Sequence, residues 1–417
     1  MKENRVHQRC IAAGLKYISK NEDFDHVIIM DADGEDRPEE LTSLFNKSKE
    51  NPSKTVTLNR KKRSEGPWFK FLYEIYCILI NLFAMKKIRF GNYSLLNSRH
   101  INKIYDNSIS YQINQLKKKN DVFLIAHSYQ TPDIVYGVAD SVSDSYSLSK
   151  AARDAPQQTI LFSSVRFMAE TAKIVSPHKT VLHPSPEAGC TLSDSITAED
   201  VRELKSRYPG VPVACYINTS AEVKAEVDVC VTSSNYLRIC EKLPGDRLIF
   251  VPDQLMGKHL AEYLAGRKEV INYDGECYVH ATFTGEKIRS WRERTAEQGI
   301  ELQVLSHPEC DADVIAESDI VGSSEVLREE ALRLGSEGKS DIMLITECGT
   351  ADRVRAESEN DLNLIGTCVM CRYMKMTQLE DILQALRDPR PEQIIELNEE
   401  IIQRAQRSLD EMFRLAE

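Results

Sequence analysis

No apolar run in this sequence is long enough to cross a bilayer. The most apolar stretch, Phe69 to Met85, is interrupted by Lys70, Glu74 and Asn81, so at most it lies on a membrane surface. The first residues, Met1 to Arg5, are polar and lack the apolar core of a signal peptide, so secretion is not expected. Cysteine is sparse: eleven in 417 residues fall far below the density of a disulfide scaffold. The odd count leaves at least one thiol unpaired, which fits a reducing cytoplasm. Positive charge is in deficit, with 53 Lys and Arg against 64 Asp and Glu and a formal net charge of -11. That balance disfavours nonspecific attraction to nucleic acid or to an anionic membrane. Low-complexity segments are absent as well. What remains, 42% apolar and 28% charged residues, is a folded globular chain with length for two or three domains.

The pattern changes near residue 110. Before it, a helical stretch around Cys10 to Ser19 leads to the apolar run His26 to Met30, which reads as a buried strand. That strand runs into Asp31-Ala32-Asp33-Gly34-Glu35-Asp36. Carboxylates crowded at the end of a strand can hold a divalent cation, and they can equally form a solvated turn capping the next helix. Arg60 to Gly66, an aromatic amphipathic helix, and Gly91-Asn92-Tyr93-Ser94-Leu95-Leu96 follow. In that order the segments resemble a family 2 glycosyltransferase of the polyprenyl-phosphate sugar type, over about residues 1 to 105. Asp31 and Asp33 match that family's metal-binding aspartates. The strand and loop that help hold the nucleotide-sugar have no counterpart, so the resemblance implies a truncated fragment that transfers no sugar.

From Asn120 onward short apolar runs alternate with helical patterns: Val122 to Ala126, Gln158 to Phe162, Thr180 to Leu182, Val211 to Ile217, Val227 to Val231, Leu248 to Val251, Leu302 to Leu305, Asp319 to Val321 and Ile342 to Ile345. Alternation of this kind predicts α/β architecture, parallel sheets with helices on both faces. After Pro391 the stretch Gln393 to Ala416 reads as an amphipathic terminal helix. The expected domains are therefore 1–110, 111–390 and a closing helix in 391–417.

Three cysteines fall at near-equal intervals, Cys190, Cys277 and Cys371, 87 and 94 residues apart. Each interval is about the size of a small α/β unit, which suggests three similar units, each presenting one thiolate from a loop. Three thiolates leave one position open in a four-ligand shell. An iron-sulfur cluster so held would keep one iron free to act as a Lewis acid, while zinc is also acceptable to soft thiolates. Cys10, Cys77, Cys215, Cys240 and Cys310 are assigned to packing, Cys230 and Cys348 are left open, and Cys368 reads as a small buried residue rather than half of a Cys368–Cys371 disulfide.

Nine ordered motifs then make the resemblance specific: His127-Ser128-Tyr129-Gln130, Val165 to Lys173, Glu187-Ala188-Gly189-Cys190, Tyr216-Ile217-Asn218, Thr232-Ser233-Ser234-Asn235, Val251-Pro252-Asp253, Cys277-Tyr278-Val279-His280, His307-Pro308-Glu309-Cys310 and Cys371 to Lys375. Over about residues 112 to 385 the chain resembles the quinolinate synthases of bacterial and archaeal NAD biosynthesis. The resemblance implies three pseudo-equivalent three-layer αβα domains around a central 4Fe-4S cluster, with Cys190, Cys277 and Cys371 as ligands. It implies condensation of iminoaspartate with dihydroxyacetone phosphate, and an L-aspartate oxidase or aspartate dehydrogenase as functional partner. Tyr129, His307 and Glu309 are the implied acid-base residues, chemistry that suits tuned His, Glu and Tyr. His127, Ser145, Tyr216, Asn218, Ser233 and His280 are the implied substrate-binding residues, and the hydroxyls and amides among them bind anions without adding fixed charge. Two departures stand out: Arg166 replaces a usual histidine, and Glu325 in Gly322 to Val326 adds negative charge beside a would-be phosphate loop. A related cluster-dependent lyase or transferase with a changed substrate, a fused membrane-surface glycosyltransferase and a zinc-binding non-enzyme are the alternatives.

Overall fold

A computed structural model describes residues 26–29, 41–50, 56–57, 94–97, 108–366 and 368–416. The chain divides into two compact units, Met1–Gln112 and Ile113–Glu417. In the first, β1 (His26–Ile29), β2 (Val56–Thr57) and β3 (Ser94–Asn97) form an antiparallel sheet in the order β1-β3-β2. The helix Leu41–Glu50 belongs to the same unit, and its Ser48 hydroxyl is hydrogen-bonded to His26 Nε2 at 3.1 Å. The expected strand at His26 is thus present. Cys10 to Ser19, Asp31, Asp33, Arg60 to Gly66 and Phe69 to Met85 lie outside the described residues.

The second unit contains three parallel four-stranded sheets. The first holds β4 (Val122–His127), β5 (Ser141–Ser143), β6 (Thr159–Ser163) and β7 (Thr180–Leu182). The second holds β8 (Val213–Tyr216), β9 (Val229–Val231), β10 (Arg247–Val251) and β11 (Glu269–Asn272), and the third β12 (Gln303–Ser306), β13 (Ile320–Val321), β14 (Asp341–Ile345) and β15 (Asn363–Ile365). Every sheet has the same order: the second strand in sequence at one edge, then the first, the third and the fourth. The central strands are apolar and almost entirely buried, as parallel strands covered on both faces must be. The nine expected strands are present. Three strands were not anticipated, β5, β11 and β15, and all three are short, partly buried sheet edges with at most two apolar residues in a row, too little to read as a run.

One side-chain device recurs in all three sheets. An aspartate immediately before the second strand accepts a hydrogen bond from a main-chain N–H of the first: Asp140 from Leu124 at 2.9 Å, Asp228 from Val213 at 2.8 Å, Asp319 from Val304 at 2.7 Å. A cation on the preceding helix pairs with each, Lys117 at 2.7 Å, Lys205 at 3.2 Å and Arg292 at 2.8 Å. The three units are therefore repeats in detail, each tying helix, first strand and second strand at one point. Gly299 and Gly338, with φ of 74° and 82°, close the helices Gly285–Glu297 and Ser324–Ser336. Ile300 donates to Thr295 O and Lys339 to Leu334 O, the left-handed turn that only glycine adopts without strain.

The terminal helix runs Glu399–Ala416, starting six residues later than expected because Pro391–Gln393 forms a separate 3-10 turn. It buries Ala405, Leu409, Met412, Phe413 and Leu415 in the core shared by the first two sheets. Phe413 lies 5.8 Å from Tyr146, with the Arg153 guanidinium 4.6 Å over its ring. No helix among the described residues is long and apolar enough to cross a membrane.

The repeated aspartate gives a test of stability. Asp140→Ala, Asp228→Ala and Asp319→Ala each leave a buried strand N–H unpaired, with an expected cost of about 1–3 kcal/mol. The urea midpoint of unfolding should fall for all three; an unchanged midpoint in any of them contradicts a structural role for that aspartate.

Candidate active site

The C-terminal ends of the strands carry the candidate residues, as open parallel sheets require. The first strands β4, β8 and β12 deliver His127 and Tyr129, Tyr216 and Asn218, His307 and Glu309. The second strands lead to Ser145 and Ser233, and the fourth strands to Cys190, Cys277 with His280, and Cys371. All twelve line one cleft of about 630 Å³, counting its space open to solvent.

Within it runs an unbroken chain of hydrogen bonds. The Tyr129 hydroxyl is 2.6 Å from Ser324 Oγ and 2.9 Å from Thr346 Oγ1. Thr346 Oγ1 is 3.1 Å from His280 Nε2, and His280 Nδ1 is 2.7 Å from Glu309 Oε2. The Tyr216 hydroxyl donates to Glu309 Oε1. His307 stacks on His280 at 4.6 Å between ring centroids. Nδ1 of His127 accepts the Tyr129 N–H at 3.1 Å and Nδ1 of His307 the Glu309 N–H at 3.4 Å, so both neutral rings carry their proton on Nε2.

Burial sets the charges. It depresses His127 to about 3, with Lys375 and Arg353 adding to the effect, and depresses His307 to about 3 against the pull of Glu309. Both imidazoles are neutral near pH 7. Tyr129 and Tyr216 are pushed well above the usual phenol range by burial and keep their protons. Burial works to raise Glu309 too, but His280, His307 and the Tyr216 hydroxyl overcome it and hold the carboxyl well below its ordinary value. Glu309 is thus held ionised in a cleft where His127 and His307 are neutral and Tyr129 and Tyr216 protonated. A second acid, Glu347, is fully buried; burial raises it while Lys375, 3.1 Å from Oε1, opposes the rise.

The three cysteines share one local geometry. In each, the N–H four residues on closes a helical turn on the cysteine carbonyl: Asp194 on Cys190, Ala281 on Cys277, Lys375 on Cys371. The N–H groups two and three residues on face the sulfur, from Leu192 and Ser193, Val279 and His280, and Tyr373 and Met374. Such a nest of donors stabilises a thiolate. Without a cation the thiols are nevertheless neutral: burial pushes Cys190 up to about 12, with Cys371 adding to it, and raises Cys277 and Cys371. Cradled but neutral sulfurs in one cleft fit a soft metal centre, whose binding would ionise them. The Cys277, His280 and Glu309 ligand atoms also lie within 4.8 Å of one another, a grouping able to hold a metal ion.

Several expectations change. Glu325 does not burden the cleft: it points away, pairing with Arg328 and, at 2.9 Å, with Arg353, so its charge is balanced. Arg166 pairs with Glu170 at 3.0 Å and is half-exposed, outside the cleft lining. Cys368, expected to be buried, is exposed on the loop that follows β15. Cys215, Cys230, Cys240 and Cys310 are fully buried, and no disulfide is present among the described residues. Thr346 and Glu347 were missed, and Ser324 was noted only as part of the Gly322 to Val326 loop. Ser324 follows the second strand of its unit as Ser145 and Ser233 do, so aligning the three repeats would have found it. Thr346 and Glu347 follow the third strand β14, where no anticipated motif fell.

Comparison with known proteins gives a consistent picture. A family model described as quinolinate synthetase A protein matches residues 111–414. Quinolinate synthase 1 of Mesorhizobium japonicum is 40% identical over 297 residues, 71% of this chain and 88% of the relative. Quinolinate synthase 2 of the same organism is 44% identical over 277 residues, 66% of this chain and 82% of the relative. A quinolinate synthase of Caulobacter vibrioides is 39% identical over 308 residues, covering 73% and 81% respectively. The matched residues begin at 111, so the family match lends no support to the glycosyltransferase resemblance of the segment before it.

Buried neutral histidines make stability depend on pH. His183 is held at about 4 by burial, its Nε2 bonded to Ser164 O at 3.0 Å and its Nδ1 without a partner. Its folded-state pKa lies below the ordinary value of about 6.5, so its contribution is complete above pH ~6.5 and is lost as the pH falls towards 4, by up to about 1.4 kcal/mol per pH unit. His183→Gln should flatten the fall of the urea midpoint between pH ~6.5 and 5. An equally steep fall in the variant would mean that His183 is not held neutral.

Proposed function

The chain belongs to the quinolinate synthetase A protein family, and on that premise we propose that it is a quinolinate synthase, condensing iminoaspartate with dihydroxyacetone phosphate and releasing quinolinate, phosphate and water. The observation that carries this reading is one cleft holding both three equivalently cradled thiols and a continuous acid-base chain. Cys190, Cys277 and Cys371 would hold a 4Fe-4S cluster, which supplies a Lewis acid to polarise substrate oxygen and nitrogen groups.

The side chains supply the rest. Tyr129, Thr346, His280 and Glu309 form one line, each hydrogen-bonded to the next. Along this line proton exchange at the Tyr129 hydroxyl is coupled to proton exchange at the Glu309 end. Removal of a proton from one part of the substrate and protonation of a departing hydroxyl elsewhere, as each dehydration requires, are thereby linked across the cleft. Ser145, Ser233 and Ser324 offer hydroxyls to carboxylate and phosphate oxygens. The buried Asn218 Oδ1 has no protein partner and is left for a substrate donor. The neutral His127 and His307 donate from Nε2 without drawing charge away from Glu309. A supplier of iminoaspartate, an L-aspartate oxidase or aspartate dehydrogenase, is the proposed partner, and the unpaired thiols favour a cytoplasmic setting.

Protein purified without oxygen should contain about four irons and four sulfides per chain and lose them on Cys371→Ser. Iron retained in that variant, or zinc in place of iron, would overturn the ligand assignment. Thr346→Val removes the link between Tyr129 and His280 and should lower kcat about 10–100-fold with iron content unchanged; an unaltered kcat would rule the relay out. We also assign catalysis to residues 111–390 with 391–417 as the closing helix, and treat residues 1–110 as a glycosyltransferase-like fragment. Deleting residues 1–105 should then leave the rate of quinolinate formation within about twofold, and a large loss would give that segment a structural role.

A further inference from the structure

The three cysteine loops hang from the third strands in the same way. The residue three positions past each third strand donates its N–H to the carbonyl two residues before the cysteine: Arg166 to Ala188 O at 2.8 Å, Gln254 to Gly275 O at 2.7 Å, Cys348 to Val369 O at 3.0 Å. The residue just before that donor differs among the units. It is Val165 in the first, Asp253 in the second and Glu347 in the third, and both acids are fully buried.

Glu347 does what neither counterpart does. Its Oε1 accepts the N–H of Cys371 itself at 3.2 Å, and its Oε2 accepts the N–H of Gly349 at 2.6 Å. Lys375, on the same loop as Cys371, pairs with the carboxylate and donates to the Tyr129 carbonyl. The junction has no slack: a Cβ on Gly349 would come within 2.7 Å of Glu347 Oε2, 2.8 Å of Tyr129 Cα and 3.1 Å of Lys375 Nζ. Asp253, by contrast, caps its helix through Met256 N–H at 2.8 Å, and no bond from it reaches a cysteine N–H.

We propose that Glu347, acting with Lys375, is a positioning residue that fixes the Cys371 thiol and the Tyr129 main chain relative to each other. The inference rests on Cys371 being a ligand, as proposed above. An outer pin exists as well, where the Arg372 N–H donates to the Tyr278 hydroxyl at 2.7 Å with the Arg372 side chain over both neighbouring tyrosines. That pin is solvent-exposed, and water replaces it readily, whereas nothing replaces the buried carboxylate.

The test is differential alkylation of the metal-free protein by iodoacetamide, with Cys190, Cys277 and Cys371 followed separately by mass spectrometry. Glu347→Gln should raise the Cys371 rate about fivefold or more while the other two stay within about twofold. Lys375→Met should act alike, and the double variant should exceed neither single one by much, since both break one network. Tyr278→Phe should change the Cys371 rate less than about twofold. An unchanged Cys371 rate in Glu347→Gln, an equal rise at all three cysteines, or an equal rise in Tyr278→Phe would each overturn the proposal. Anaerobic reconstitution gives the second readout, with iron per chain falling in Glu347→Gln. If the unaltered protein takes up no iron, the cluster reading fails while the alkylation rates still decide the role of Glu347.

Discussion

Three main-chain hydrogen bonds, from Arg166, Gln254 and Cys348 to the carbonyls two residues ahead of Cys190, Cys277 and Cys371, tie the chemistry to the scaffold. A cysteine on a free loop would sample many positions, and bringing three of them together would cost the ordering entropy of three loops. Here each loop is held as an extension of a sheet that is already rigid. The cost is met within each unit, by the same strand order and the same aspartate tie, before the thiols meet. Metal affinity and substrate geometry therefore both rest on how the three sheets pack, and the helix Glu399–Ala416, seated in the core of the first two, is part of that packing.

The electrostatics of the cleft follow from the same burial. Deep in the protein, an imidazole is held neutral and a phenol protonated, because the charged form of each is penalised. Glu309 escapes this rule because His280, His307 and Tyr216 are all aimed at it. Neutral imidazoles and protonated phenols around Glu309 leave hydrogen-bond donors free of added negative charge for anionic substrate groups. Further fixed negative charge would repel such groups, and Glu347 is paired with Lys375 and Glu325 with Arg353. The feared effect of Glu325 came from reading its position along the chain rather than the direction of its side chain.

Much of this was legible in the residues. Apolar runs such as Val122 to Ala126 and Ile342 to Ile345 are central strands buried on both faces, and a buried parallel strand has to be written in such residues. Edge strands carry no such requirement, which is why Ser141–Ser143 and Glu269–Asn272 went unseen. The three cysteines stood out by their spacing, and the other nine candidates were implied by the family resemblance, which short local motifs such as His307-Pro308-Glu309-Cys310 carry. Thr346 and Glu347 belong to no such motif, and their importance comes from partners as remote in sequence as Tyr129.

The sequence by itself determined the repeat, three α/β units of similar length, each ending in a cysteine loop whose own N–H groups cradle the sulfur, because these are properties of local segments and their periodicity. Only the tertiary structure decided which side chains meet across units: Tyr129 of the first with Thr346 of the third, Tyr216 of the second with Glu309 of the third, and Lys375 between Glu347 and the Tyr129 carbonyl. Those contacts depend on how three sheets pack their C-terminal edges together, and no segment of the chain encodes that packing alone.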